Sequence, residues 1–351
     1  MGHHVYKKRM KKRYAILFVA FLFALTACAN DQPVIENEEP VDEPVVEVQA
    51  IDRIDLSLKP NEAGQILVLM YHNIGIEEKT WVRTPDNFRN DLQYLYDNNY
   101  RPIRLSDYVN GHITTEAGMT PIVLTFDDAG LSNFKYLEDG TIDPDSAVGI
   151  LVAFNQRYPD FPLHASFFSN GLNPFKQSSL IQKKIDFLLE NGMDIGNHSK
   201  DHMNFKDATQ EDLEYQLGAQ AQYLKQFVPV DYAINTLALP YGSRPKDKAL
   251  EVYLQKGSYE DTVYENIAIL NVGWMPGLSP FHTSFNPLSI PRVRASETNV
   301  DGVGFMDYFK DYDLNPEKRY ISDGEATIIT IPTKYADKLQ TNLPLEIYTY
   351  E

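Results

Sequence analysis

From residue 66 onward the chain alternates short apolar runs with longer stretches whose apolar residues recur at helical spacing. Residues 66–72 (ILVLMYH), 121–126 (PIVLTF) and 164–168 (HASFF) lack the strict apolar–polar alternation of a half-exposed strand. They read as strands buried on both faces. Residues 193–198 (MDIGNH), 234–242 (INTLALPYG) and 267–274 (IAILNVGW) add three more. Between them lie amphipathic segments. Thr84-Pro85-Asp86-Asn87 opens a helix on which Phe88, Leu92, Tyr94 and Leu95 fall close to one face. Residues 179–192 form a second helix that stops at Gly192, and residues 208–227 a third, with Thr209 as its cap and Glu211 and Asp212 in its first turn. Buried strands alternating with such helices predict an α/β fold with a parallel sheet covered by helices. In folds of that kind the chemistry gathers at the carboxyl ends of the strands. His72, Asp127, Asp128, His198 and Tyr241 each stand at or just after the end of an apolar run, which is more than packing requires.

The N-terminus has a different texture. Lys7, Lys8, Arg9, Lys11, Lys12 and Arg13 precede an apolar run over residues 15–25 (AILFVAFLFAL). That run falls short of the roughly 20 residues a membrane-spanning helix needs, and suits the core of a signal peptide. It leads into Leu25-Thr26-Ala27-Cys28, which resembles a bacterial lipobox, where cleavage precedes the cysteine and the thiol is lipidated. Cys28 is the only cysteine, so an intramolecular disulfide is excluded. Residues 30–50 are rich in Glu, Asp, Pro and Val and hold no Lys or Arg, the composition of a self-repelling tether. The expected organisation is a lipoprotein signal peptide at 1–27, an acidic Pro-rich tether at 28–63 and one catalytic domain at 64–351, anchored through lipidated Cys28 on the outer face of a bacterial cell membrane. Hydrophobic residues at 43% exclude global disorder, and a net charge of −17 argues against nucleic acid as a partner. The oligomeric state is left open.

Two local patterns carry the chemistry. In Thr125-Phe126-Asp127-Asp128 two adjacent carboxylates end a strand, a costly arrangement unless a cation or a proton relieves it. In His198-Ser199-Lys200-Asp201-His202 the two histidines are four apart, and on one helical turn both imidazoles would reach a single ion. Two imidazoles and a carboxylate suit Zn, with Co, Ni and Mn as the other candidates, and leave a position open for water or substrate. Leu239-Pro240-Tyr241-Gly242 reads as a tight turn after a strand. Trp274 ends another apolar run, where an aromatic face suits either sugar stacking or plain core. Residues 129–162 exceed what a strand-to-strand crossover needs and read as a rim loop plus the cap of a helix.

With LTFDD, HSKDH and HASFFSNG in this order, the chain resembles the polysaccharide deacetylases of the NodB-homology type, carbohydrate esterase family 4. The match covers roughly residues 66–303. The resemblance implies a distorted (β/α) barrel and metal-dependent removal of N-acetyl groups from an N-acetylated polysaccharide. It implies Asp127 as general base, Asp128, His198 and His202 as metal ligands, and the Tyr241 backbone N–H as a donor to the oxyanion. Two departures stand out. The arginine usual two positions before the Pro of the third motif is Ala238, and no late Leu-x-His motif is visible. Both departures are similar to the poly-N-acetylglucosamine deacetylase branch, in which an N-terminal strand ending in Tyr-His supplies the general acid. VLMYHNI fits, which makes His72 the candidate acid and His282 the fallback. Arg292 and Arg294, in IPRVRASE, are candidates to orient Asp127 in place of the missing arginine. The rival readings are an O-acetyl esterase on another polysaccharide and a carbohydrate-binding relative that has lost turnover.

Overall fold

The computed structural model describes residues 50–351; the expected signal peptide, Cys28 and most of the tether lie outside the described residues. Seven strands make the framework: β1 (Val68–Tyr71), β2 (Thr120–Phe126), β3 (Ser166–Ser169), β4 (Asp194–Asn197), β5 (Thr236–Ala238), β6 (Ala268–Leu270) and β7 (Val293–Arg294). They pair in the order β6-β5-β4-β3-β2-β1-β7, every pairing parallel, with a short strand Tyr100–Pro102 also alongside the start of β2. The two ends of this path meet. Ile290 makes a parallel bridge to Leu270 of β6, and three residues later Val293 pairs with Leu69 of β1. The sheet therefore curls into the expected distorted (β/α) barrel.

All seven residues of β2 and all four of β1 are buried, which is why these strands read as unbroken apolar runs. Gly196 in β4 has a packing reason: a Cβ there would lie 2.5 Å from Thr236 Oγ1 and 2.6 Å from the Phe168 ring. Helices α1 (Pro85–Asp97), α2 (Leu105–Asn110), α3 (Ala147–Arg157), α4 (Ile181–Glu190) and α5 (Gln210–Leu224) connect the strands. The Thr84 hydroxyl caps α1 by accepting from Asn87 N–H, and Phe88, Leu92 and Leu95 face the core. Thr209 and Asp212 form a reciprocal capping box on α5. Among the described residues no helix is long and apolar enough to cross a membrane.

One expectation changes. The domain begins before residue 64, because Asn61 and Glu62 are buried and bond to the far end of the chain: Asn61 N–H donates to Ile321 O, and the Glu62 carboxylate accepts from Thr330 N–H and Tyr320 O–H. The late strands Ile328–Pro332 and Glu346–Tyr350 do not close the barrel. They pair with each other, and the residues around 290 have already taken the closing position.

Candidate functional site

Because every barrel strand runs the same way, their carboxyl ends open on one mouth. A cavity of about 450 Å³ lies there, lined by His72, Asn73, Trp81, Asp127, Asp128, His198, His202, Leu239, Tyr241 and Val272. A larger cleft of about 730 Å³, between residues 56–61 and the C-terminal strand, shares none of these residues.

Asp127 is the most enclosed of the acidic groups here, 1% exposed. Arg292, itself fully buried, grips both its oxygens, Nη1 to Oδ1 at 2.8 Å and Nη2 to Oδ2 at 2.7 Å. The same guanidinium donates to Asn271 O (2.8 Å) and Thr125 Oγ1 (3.1 Å), so its plane is fixed on three sides. Burial alone would push the Asp127 carboxyl up. The charge of Arg292, helped by His198, Arg292's hydrogen bonds and His72, outweighs it and holds the carboxyl well below the usual carboxylate range. Asp127 is therefore an ionised carboxylate at neutral pH. Arg294 shares the strand face of Arg292 by alternation but does not reach Asp127. Its guanidinium bonds the carbonyls of Thr298 and Asn299 and lies 5.1 Å from the Trp81 ring.

Asp128, His198 and His202 present ligand atoms that all lie within 4.8 Å of one another. His198 Nε2 and His202 Nε2 stand 3.6 and 3.7 Å from Asp128 Oδ1. His198 Nδ1 lies 2.7 Å from the Ala238 carbonyl, which can only accept. Nδ1 must donate, so in the neutral ring the lone pair is on Nε2, turned inward, the tautomer a metal ligand needs. Burial and the neighbouring His198 hold His202 below its ordinary pKa, which also favours the neutral ligand form. Donor types, spacing and tautomer all fit one divalent ion. The pair does not sit on a helical turn as the spacing suggested. Residues 198–202 form a loop with Ser199 and His202 at φ +60° and +52°. Asp128 (φ +71°), Ala129 (φ +41°) and Tyr241 (φ +57°) are left-handed too. Five non-glycine residues in this conformation, in three loops around one cavity, mark strain held in place by the barrel.

His72 follows the last residue of β1, and its Nε2 is 3.9 Å from Asp127 Oδ2. Burial lowers its pKa, and the Asp127 charge is the main influence opposing that. The Tyr241 ring packs edge-on against His202, centroids 4.6 Å apart. His282 is elsewhere. It lines a different cavity with Asn61 and Tyr335, and its Nδ1 accepts from Ser284 N–H. Trp274 is exposed but does not line the cavity at the barrel mouth.

Two residues escaped the sequence reading. Asn170, directly after β3, donates its Nδ2 hydrogen to Asp128 Oδ1 at 2.7 Å and so orients that carboxylate. The strand-end rule that found Asp127 and His198 applies to it equally. Trp81 has no such signal, since it lies in a loop nine residues beyond His72 in a stretch without motif character.

Residues 115–258 match the family model for polysaccharide deacetylases. Over that span the sequence is similar to the polysaccharide deacetylases. The matched span includes Asp127, Asp128, His198, His202 and Tyr241, and leaves out His72 and Arg292. Among solved structures, a Bacillus anthracis protein assigned as a polysaccharide deacetylase is similar at 21% identity and a TM-score of 0.50, covering 68% of this chain and 67% of that one. A polysaccharide deacetylase from Bacillus cereus is similar at 19% identity, with the same TM-score and coverage. These likenesses bear on the fold. No curated protein matches the sequence at a significant level.

Proposed function

We propose that the protein is a metal-dependent deacetylase that removes N-acetyl groups from an N-acetylglucosamine-containing polysaccharide at the cell envelope. The observation that carries this reading is the Asp128–His198–His202 grouping beside the buried Asp127–Arg292 pair, in a chain whose residues 115–258 match the polysaccharide deacetylase family model. Asp128, His198 and His202 would hold the ion, with Zn the best fit to two imidazoles and a carboxylate and Co, Ni or Mn the alternatives. A divalent ion bound there would polarise the acetyl carbonyl and acidify the attacking water.

The chain's own groups do the rest. Asp127, ionised and fixed by Arg292, accepts a proton as water adds to the acetyl carbon. The low pKa that Arg292 imposes keeps the base free of protons at neutral pH while making it a mild one. The Tyr241 backbone N–H would stabilise the oxyanion as its charge develops. The C–N bond then breaks, and the amine leaves with a proton from His72, which lies on the Asp127 side of the cavity. Burial disfavours a protonated imidazole there, and the Asp127 carboxylate 3.9 Å away favours it. Acetate and a free glucosamine amine are the products.

Lipidation at Cys28 would keep this chemistry at the outer face of the membrane, with the acidic segment as spacer. The test is metal analysis of the purified protein together with acetate release from N-acetylglucosamine oligomers and from acetylated xylan. Release from xylan alone would transfer the activity to O-acetyl esters. Metal binding without release from either would favour a binding relative.

A further inference from the structure

We propose that Trp81 is the face on which the acetylated sugar ring rests, and that Arg294 is the positioning residue that holds it. The inference rests on the sugar-amide reading above and deepens it by naming a specificity determinant outside the ion site. Trp81 lines the catalytic cavity and yet is 42% exposed. An indole serving only the core would be covered, and one on the general surface would not face Asp127 and His72. Its backbone is firmly held. Asn73 N–H donates to Trp81 O at 3.1 Å, and Asn73 and Ile74 pair in register with Val82 and Arg83. From the opposite side Asn299 Nδ2 donates to Thr80 Oγ1 and Ser296 Oγ to Lys79 O. The loop that carries the indole is thus fastened to the segment directly after the barrel-closing strand.

The indole itself has two neighbours. The His72 ring lies with its centroid 4.6 Å away at 46°, and the Arg294 guanidinium lies 5.1 Å from the ring, fixed by the Thr298 and Asn299 carbonyls. A cation over an indole is attractive and directional, so it fixes the ring plane. A pyranose presents an apolar C–H face that suits a flat aromatic ring. A sugar resting on Trp81 lies beside the imidazole that would protonate its leaving nitrogen. Arg294, which misses Asp127, acquires a role through Trp81.

The chain has only two tryptophans, so a Trp274→Phe background makes Trp81 the sole indole emitter. In that background, titration with N-acetylglucosamine oligomers should change Trp81 emission with the same midpoint as the KM for deacetylation. Trp81→Ala should raise KM for oligomers about tenfold, the equivalent of ~1.4 kcal/mol of aromatic contact. Trp81→Phe should restore most of that loss, and hydrolysis of a small phenyl acetate should suffer much less. Arg294→Met should raise oligomer KM about threefold while kcat holds, with a shifted emission maximum. Emission that does not respond to an oligomer the enzyme demonstrably cleaves overturns the platform and leaves the proposed function standing. If wild type cleaves acetylated xylan and not N-acetylglucosamine oligomers, the substrate reading falls, and the platform is judged by the response to xylan oligomers. Equal losses on oligomer and phenyl acetate would reduce Trp81 to a support for His72 and overturn the inference.

Discussion

Replacing Arg292 by Met keeps most of the side-chain volume and removes the guanidinium that grips Asp127. The perturbation isolates one question, whether the buried pair sets both stability and the charge of the base. Both partners are essentially inaccessible, and the contact is bidentate at 2.8 and 2.7 Å. Breaking a pair of this kind by deleting one partner costs about 3–5 kcal/mol, because a buried charge is left uncompensated. The pH dependence has a definite sign. In the wild type the folded pKa of Asp127 lies below its unfolded value of about 3.9. Its contribution to stability is therefore fully present above that value and is lost only as pH falls through the folded pKa. In Arg292→Met burial becomes the dominant influence and raises the carboxyl. Stability is then favoured below about pH 4 and lost as pH rises through the raised pKa. The deficit of the variant should be largest near pH 7–8 and shrink toward pH 4–5 in chemical denaturation. The double variant Arg292→Met/Asp127→Asn, which has no charge to bury, should recover most of the loss. Turnover should fall in both. A double variant no more stable than the single one, or a deficit that does not vary with pH, would refute the reasoning.

Three other outcomes are expected. His72→Ala should cut kcat by about 10²-fold or more with metal content unchanged, and His282→Ala should leave kinetics near wild type; the reverse pattern would move the acid role to His282. His198→Ala or His202→Ala should lose bound metal by elemental analysis, whereas Asp127→Asn should keep metal and lose turnover. Should Asp127→Asn strip the metal while Asp128→Asn retains it, the two carboxylates have exchanged roles. Cys28→Ser should move the protein from the detergent phase to the aqueous phase after expression in a bacterium that processes lipoproteins, and a wild type already wholly aqueous would remove the anchor.

The strands and capped helices were legible in the sequence because they are governed by local rules. A strand covered on both faces must be apolar throughout, as β1 and β2 are, and a cap such as Thr209 sits at a fixed offset from the helix it starts. Asp127, Asp128 and His198 were legible because parallel strands bring their ends together. The choice between Arg292 and Arg294 was not. Alternation puts both on one face, and only the closed barrel determines which of them meets a carboxylate 165 residues away. The helical reading of His198 and His202 failed because the His spacing fits one helical turn equally well as a loop with two left-handed residues, and the spacing alone does not distinguish them. Trp81 escaped because a lone aromatic in a loop has no period to betray it.

The barrel closure and the site are one event. The same short segment completes both: Ile290 pairs with Leu270, Val293 pairs with Leu69, and Arg292 between them neutralises Asp127. A chain ending before this segment would leave two open strand edges and, at neutral pH, a buried carboxylate without its guanidinium partner. The span matched by the family model, residues 115–258, contains the three expected metal ligands but neither β1 with His72 nor the closing strand with Arg292. That span by itself therefore lacks the guanidinium that holds Asp127 and the neighbouring strands on which β2 and β5 pair. Its three loops around the cavity hold five left-handed non-glycine residues, a conformation that persists only where surrounding structure over-determines it. Here that structure includes segments from both sides of the matched span.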